Sequence, residues 1–230
     1  MIGLIGAMVP EVEALQQQLE NPEVTTISGI DFHAGTLNGT QVVVAQCGIG
    51  KVFAALCAQA MILHFHPHVI INTGVAGALH PALNVGDVVI AENVVQHDMD
   101  TTPFGDPLGM ISGLNIVEIP ACPQTVHGLQ QAVEELGHTA MVGTIASGDQ
   151  FLSDPAKKQA IHTTFQALAV EMEGAAIGQV CYVNQIPFGV LRVISDSANG
   201  DGAMEYSEFL PMAATRSTNV IHKFLQQAEE

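Results

Sequence analysis

The segment Ala169-Val-Glu-Met-Glu-Gly-Ala-Ala176 sets two acids, Glu171 and Glu173, on either side of Met172. A short apolar run precedes them and a small-residue helix start follows. Two carboxylates at a strand end can grip hydroxyl groups. The plainer alternative is a pair of acids favoured at a helix N-terminus by the macrodipole. The strand end tips the reading toward a ligand, because open α/β sheets bind ligands beyond the carboxyl ends of their strands.

Other strand ends carry chemistry too. Gly3-Leu-Ile-Gly6 precedes a helix but lacks the full glycine spacing of a dinucleotide fingerprint. Glu11 then falls in the first helical turn, where it is either a dipole-favoured surface acid or a site group. Arg192-Val-Ile-Ser-Asp196 places Ser195 and Asp196 where an apolar strand runs out, with Asp196 either a cap for the next segment or a site group. Arg192, in mid-strand, needs a carboxylate or a ligand as partner. Asn72-Thr-Gly-Val-Ala-Gly77 reads as a pocket wall, with Val75, Ala76 and Gly77 along a flat ligand and the glycines allowing close approach. Phe151, in Ser147-Gly-Asp-Gln-Phe-Leu152, is either a stacking ring or a core residue. Cys47-Gly-Ile-Gly-Lys51 is a tight turn into a helix, able to cradle an anion but not a P-loop. His97-Asp-Met-Asp100 has no distant partner at ligand spacing, and no metal is expected there.

These groups must be positioned by alternating strands and helices. Val- and Ile-rich runs predict strands at 1–6, 32–37, 41–46, 69–73, 87–96, 140–146, 168–171 and 189–195. Helices are expected after Pro10 and over 51–64, 124–136, 156–164, 174–183 and 207–227. The alternation predicts a central sheet covered by helices on both faces. With no composition break, residues 1–230 are read as a single domain. Residues 98–115 form a long loop with no pattern of its own. Its Phe104, Leu108, Met110 and Ile111 are expected to be exposed and to mark an interface.

Composition narrows the partners. There are 23 acids against 6 bases, a formal charge of −17, which disfavours nucleic acid and anionic lipid. Cys47, Cys57, Cys122 and Cys181 form no C-x-x-C pair and read as buried free thiols. No apolar run reaches membrane-spanning length and no targeting segment is visible, so a soluble cytoplasmic protein is expected.

Taken in order, GLIGAMVPEVEAL, GIGKVFAA, INTGVAGAL, VGDVV, HDMDTTPFG, SGDQF, VEMEGAA and RVISDSA resemble the 5′-methylthioadenosine/S-adenosylhomocysteine nucleosidases. That resemblance spans the whole chain. It implies an α/β fold, a three-layer αβα domain around a mixed, partly barrel-like sheet of nucleoside phosphorylase type. It also implies a homodimer without organic cofactor or metal. The implied reaction is irreversible hydrolysis of an N-glycosidic bond, releasing adenine and a 5-thio-substituted ribose. By the same resemblance Asp196 is the general acid at adenine N7, oriented by Ser195. Glu11 positions the attacking water, supported by Arg192. Glu173 holds the ribose hydroxyls and Met172 packs on the sugar. Phe151 stacks on adenine, whose edge is read by the backbone at Phe151 and Leu152. Met8, Ile49 and Tyr206 resemble ribose and thioalkyl pocket residues, and Phe104 closes the neighbour's thioalkyl site. Val75 stands where the family often has serine, and Tyr206 where phenylalanine is common. The competing readings are a phosphorolytic purine nucleoside phosphorylase, an aminofutalosine nucleosidase and a non-catalytic adenine-nucleoside binder.

Overall fold

The computed structural model describes residues 1–198 and 202–227. Ten strands form one mixed sheet: β1 Ile2–Gly6, β2 Glu20–Ile27, β3 Ile30–Leu37, β4 Thr40–Gln46, β5 Val69–Ala78, β6 Val88–Gln96, β7 Ile119–Pro120, β8 Ala140–Ser147, β9 Ala169–Glu171 and β10 Phe188–Asp196. The path β10-β6-β8-β9-β5 closes on itself because β10 also pairs with β5. That closure makes a five-stranded barrel. From β5 the sheet continues outward as β1-β4-β3-β2.

Helices cover the sheet on separate faces. On one side α2 (Lys51–Phe65) and α5 (Gly174–Asn184) bury Ala54, Cys57, Met61, Ile177 and Cys181 with the barrel strands. On the other, α1 (Val9–Gln17), α3 (Pro123–Glu135) and α6 (Gly202–Gln227) bury Val12, Leu15, Leu129, Val133, Val220 and Leu225. Each such aliphatic side chain contributes about 1.5–3 kcal/mol on leaving water. A third, smaller cluster packs Phe165 of α4 (Pro155–Phe165) against Leu79, Val95 and Leu152.

The expected strands all form, and β5 runs five residues further than its apolar core suggests. Asn72–Gly77 therefore lies inside the strand rather than beyond its end, because β10 pairs with β5 as far as Gly77. Two strands escape sequence reading. One is β7, only two residues long. The other is β2, whose Glu20, Pro22 and Glu23 resemble a loop; all but one of its residues are exposed, as suits an edge strand.

Loop 98–115 is less open than expected. It holds a 3₁₀ turn at Thr102–Phe104 and a bridge between Ile111 and Ile116. Ile111 is buried and Leu108 and Met110 are half-buried, while Phe104 is 88% exposed. Leu108 packs against the small third cluster, so it is less exposed than expected. The four cysteines are free; Cys47, Cys57 and Cys181 are buried, whereas Cys122 ahead of α3 is only half-buried.

Candidate active site

The acids converge on a cavity of about 380 Å³. Its wall includes Met8 and Glu11 after β1, Ile49 after β4, Val75, Ala76 and Gly77 of β5, Glu171 at the end of β9, and Met172 and Glu173 after it. Phe151, Ser195, Asp196 and Tyr206 complete it, with Ala7 and Val170, which sequence reading did not single out. Leu152 is buried beside Phe151 in a small extension that also touches Asp196. Arg192 lies behind the wall, and Phe104 does not reach this cavity.

Glu11 is fixed by the backbone. It folds back on the start of its own helix, where Oε2 accepts from Ala7 N at 2.7 Å and Met8 N at 2.9 Å. Oε1 accepts from Val75 N at 3.1 Å. Gly74 makes room for this: a Cβ there would stand 2.3 Å from Glu11 Oε1. Gly77 does the same for Asp196, where a Cβ would meet Oδ2 at 2.8 Å. Both glycines of this strand thus clear space for carboxylates as well as for a flat ligand. Burial raises the Glu11 carboxyl above its usual range, and Arg192 and the three amides pull the other way.

The pair after β9 divides its labour, against the expectation that both acids grip a ligand. Glu171 Oε1 accepts a short bond from Ser147 Oγ. Its Oε2 accepts from Glu173 N at 3.0 Å, from Gly174 N at 2.7 Å and from Arg192 Nη2. Arg192 also donates to Asn72 Oδ1 and, at 3.0 Å, to the Leu191 carbonyl. Glu171 is thereby the carboxylate that Arg192 required. Removing either partner would strand a buried charge, at a cost of about 3–5 kcal/mol. Arg192 makes no hydrogen bond to Glu11, so its support for that acid is through space.

Glu173 is the freer of the two. Its Oε1 accepts from Gly50 N at 2.8 Å. Burial, then the neighbouring Glu171 charge, pushes its carboxyl up to about 7. The turn Cys47–Lys51 is a tight turn into α2 whose amides hold two of the protein's own carboxyl groups: Gly50 N holds Glu173, and Lys51 N holds Asp149 Oδ1 at 2.8 Å. Asp149 N in turn donates to Asp98 Oδ2 at 3.0 Å, and Lys51 Nζ lies 2.6 Å from Asp98 Oδ1. Asp98 of the His97–Asp100 segment is thus an ion-pair partner. Among the described residues no group of three or more His, Cys, Asp or Glu is arranged to hold a metal.

Asp196 ends β10, 2% exposed. Ser195 Oγ lies 3.0 Å from its Oδ1, and Lys158 Nζ 2.7 Å from its Oδ2. Lys158 was missed, and no sequence signal marks it: the pair Lys157-Lys158 on α4 reads as a solvated helix start. Phe151 is half-exposed and meets Tyr206 edge-on, ring centroids 5.5 Å apart. The Tyr206 hydroxyl donates to Met8 Sδ at 3.0 Å. Val75 and Gly77, which touch Glu11 and Asp196, are two positions apart on β5, roughly 7 Å of strand rise. One carboxylate at each point can serve a sugar carbon and the base attached to it.

A larger open groove of about 550 Å³ lies between α2 and α5, lined largely by apolar side chains including Val52, Leu56, Val180 and Val183. It carries no pair of acids.

Comparison with known proteins agrees with this geometry. The family model described as the phosphorylase superfamily matches residues 1–226. A 5′-methylthioadenosine/S-adenosylhomocysteine nucleosidase of Shewanella halifaxensis is 42% identical over 228 residues, covering 98% of this chain and 99% of the relative. The crystal structure of the Neisseria meningitidis enzyme of that name, in complex with methylthio-immucillin-A, is similar with a TM-score of 0.94 at 34% identity, covering 98% of each chain. The native structure of a futalosine hydrolase of Helicobacter pylori is similar with a TM-score of 0.93 at 33% identity, covering 98% of this chain and 97% of that one.

Proposed function

Since the chain belongs to the phosphorylase superfamily, and within it to the 5′-methylthioadenosine/S-adenosylhomocysteine nucleosidases, we propose a division of roles among its acids for that hydrolysis. The N9–C1′ bond breaks as water adds to C1′. Glu11 orients the water and takes its proton, while Asp196 gives a proton to N7 of the departing adenine. Glu173 holds the ribose hydroxyls against Met172, with Arg192 and Glu171 forming the charged floor beneath. Phe151 covers the base beside Leu152. Ile49, Met8 and Tyr206 flank the sugar and its 5′ substituent.

The observation that carries this reading is the placement of two buried acids along one strand, Glu11 against Val75 and Asp196 against Gly77. Cleavage leaves positive charge on the sugar and negative charge on the purine, and these are opposite electrostatic tasks. Among the described residues the cavity wall contributes several carboxylates and no arginine or lysine. Such a lining suits water better than phosphate as the nucleophile. Adenine release, measured with and without phosphate, tests this. Equal rates are expected, and a requirement for phosphate would establish phosphorolysis instead. A panel of 5′-methylthioadenosine, S-adenosylhomocysteine, 5′-deoxyadenosine and aminofutalosine would rank the 5′ substituents. Binding without any release would mark a non-catalytic binder. Methionine salvage in the cytoplasm is the setting we assign to the reaction.

The working form proposed is a two-fold dimer. The exposed apolar side chains Val52, Phe53 and Leu56 of α2 and Val183 of α5, three of them lining the groove between the two helices, are the face we assign to the two-fold contact. Phe104, exposed and away from its own cavity, would then close the thioalkyl end of the neighbour's. Mixing Phe104→Ala chains with Glu11→Gln chains tests the arrangement. Verified heterodimers should regain wild-type kinetics at one of their two sites, and no recovery would rule out a shared site.

A further inference from the structure

Lys158 is 1% exposed, an uncommon state for a lysine. It sits near the start of α4, a helix capped by Asp154, whose carboxylate accepts from Ala156 N. Its Nζ lies 2.7 Å from Asp196 Oδ2 and 2.8 Å from the Ser197 carbonyl. With Ser195 at Oδ1, both oxygens of Asp196 are already engaged. A carboxyl that is to protonate N7 and accept from the 6-amino group needs the same two oxygens. It cannot do so while it serves as the ion-pair partner of an ammonium. The helix that delivers Lys158 follows directly on the segment bearing Phe151 and Leu152, and Phe151 is half-exposed.

We propose that Lys158 is a positioning residue that acts as a substrate-displaced latch. In the free enzyme its ammonium occupies Asp196 and holds α4 and the Phe151 segment open. The adenine base takes its place at Asp196, and α4 shifts to bring Phe151 onto the ring. The ammonium leaves with its own protons. The proton that Asp196 passes to N7 therefore enters from solvent as the pair opens. This inference rests on Asp196 as the acid.

The test compares Lys158→Met, which keeps the length and removes the charge, with Lys158→Arg, which keeps the charge. Both are checked for native circular dichroism and melting. KM and kcat for 5′-methylthioadenosine and Kd for adenine are then measured. A latch that leaves the competent state at roughly a tenth of the population weakens apparent affinity about tenfold. KM and the adenine Kd of Lys158→Met should fall by about that factor, with Lys158→Arg staying near wild type. A merely structural lysine would move KM upward and kcat downward together. Unchanged or weaker adenine binding in folded Lys158→Met overturns the latch. If the Met variant does not fold, Lys158→Gln carries the same comparison. Asp196→Asn is assayed alongside: retained turnover there defeats the acid assignment itself, whereas an inactive Asp196→Asn with no tightening in Lys158→Met defeats the latch alone.

Discussion

Glu11 and Asp196 meet β5 two positions apart and are both buried, yet they are held in contrasting ways. Glu11 is gripped by three backbone amides from β5 and from the start of its own helix. Those donors cannot turn away. Asp196 is held by two side chains, a neighbouring serine and a lysine from the peripheral helix α4. A group that keeps a water in line for C1′ gains from immobility. A group that must acquire a proton, give it up and release a product gains from exchangeable partners.

The comparison breaks most visibly at Glu11. Glu11→Gln replaces one accepting oxygen with an amide that donates, facing backbone N–H groups that also donate. Turnover should fall by roughly 10³-fold or more while nucleoside still binds, as single-turnover and binding assays would show. Substantial residual activity would remove Glu11 from the chemistry.

Asp196→Asn should lose roughly 10²-fold or more in kcat. Substrate binding should survive, because the amide still meets the 6-amino edge with its oxygen. Adenine release under saturating substrate is the measurement, and near-normal turnover would contradict the acid assignment.

Glu173 sharpens the contrast from the side of pH. Its carboxyl is raised to about 7 by burial and by Glu171, above its ordinary value of 4.5. Between those values the folded chain binds more protons than the unfolded one. The stability linked to this group is therefore complete below about 4.5 and is lost as pH rises through about 7. Glu173→Gln should flatten the fall of Tm across that window and raise KM for ribonucleosides, with a smaller loss in kcat than at either of the other acids. An identical Tm profile in the two proteins would place the titration elsewhere.

The smallest effect is expected at the sugar wall. Tyr206→Phe removes the hydroxyl that donates to Met8 Sδ but keeps the edge contact with Phe151. KM should change by about threefold or less, since a hydrogen bond to a weakly accepting thioether stands at the low end, about 0.5 kcal/mol, of what a neutral pair contributes. A loss of more than tenfold would show that the hydroxyl touches substrate.

What could be read before folding follows from how local each signal is. Strands β1, β4, β6, β8 and β10 announce themselves by buried β-branched runs, and the acids by standing where those runs stop. Edge strand β2 gives no such signal because burial does not select its residues. The split between Glu171 and Glu173 is equally hidden, for it depends on Arg192 and Ser147 arriving from β10 and β8. Lys158 is the extreme case: its partner lies 38 residues on and nothing in its helix distinguishes it from Lys157. The glycines at 74 and 77 were visible as glycines, but the carboxylates they accommodate come from α1 and β10.

The open end of the sheet bears on how the protein behaves when concentrated. Beyond the closed barrel, β2 leaves one row of backbone groups unpaired, a ready template for another chain's strand. Pro22 has no backbone donor to offer a new strand, the exposed Glu20 and Glu23 bring negative charge to that edge, and a register shift between Glu20 and Glu23 distorts it. Like-charged edges of a chain carrying −17 repel one another. The same residues that made β2 hard to recognise as a strand keep it from recruiting a second copy. Neutralising them would be felt first as filament formation and turbidity, with catalysis untouched.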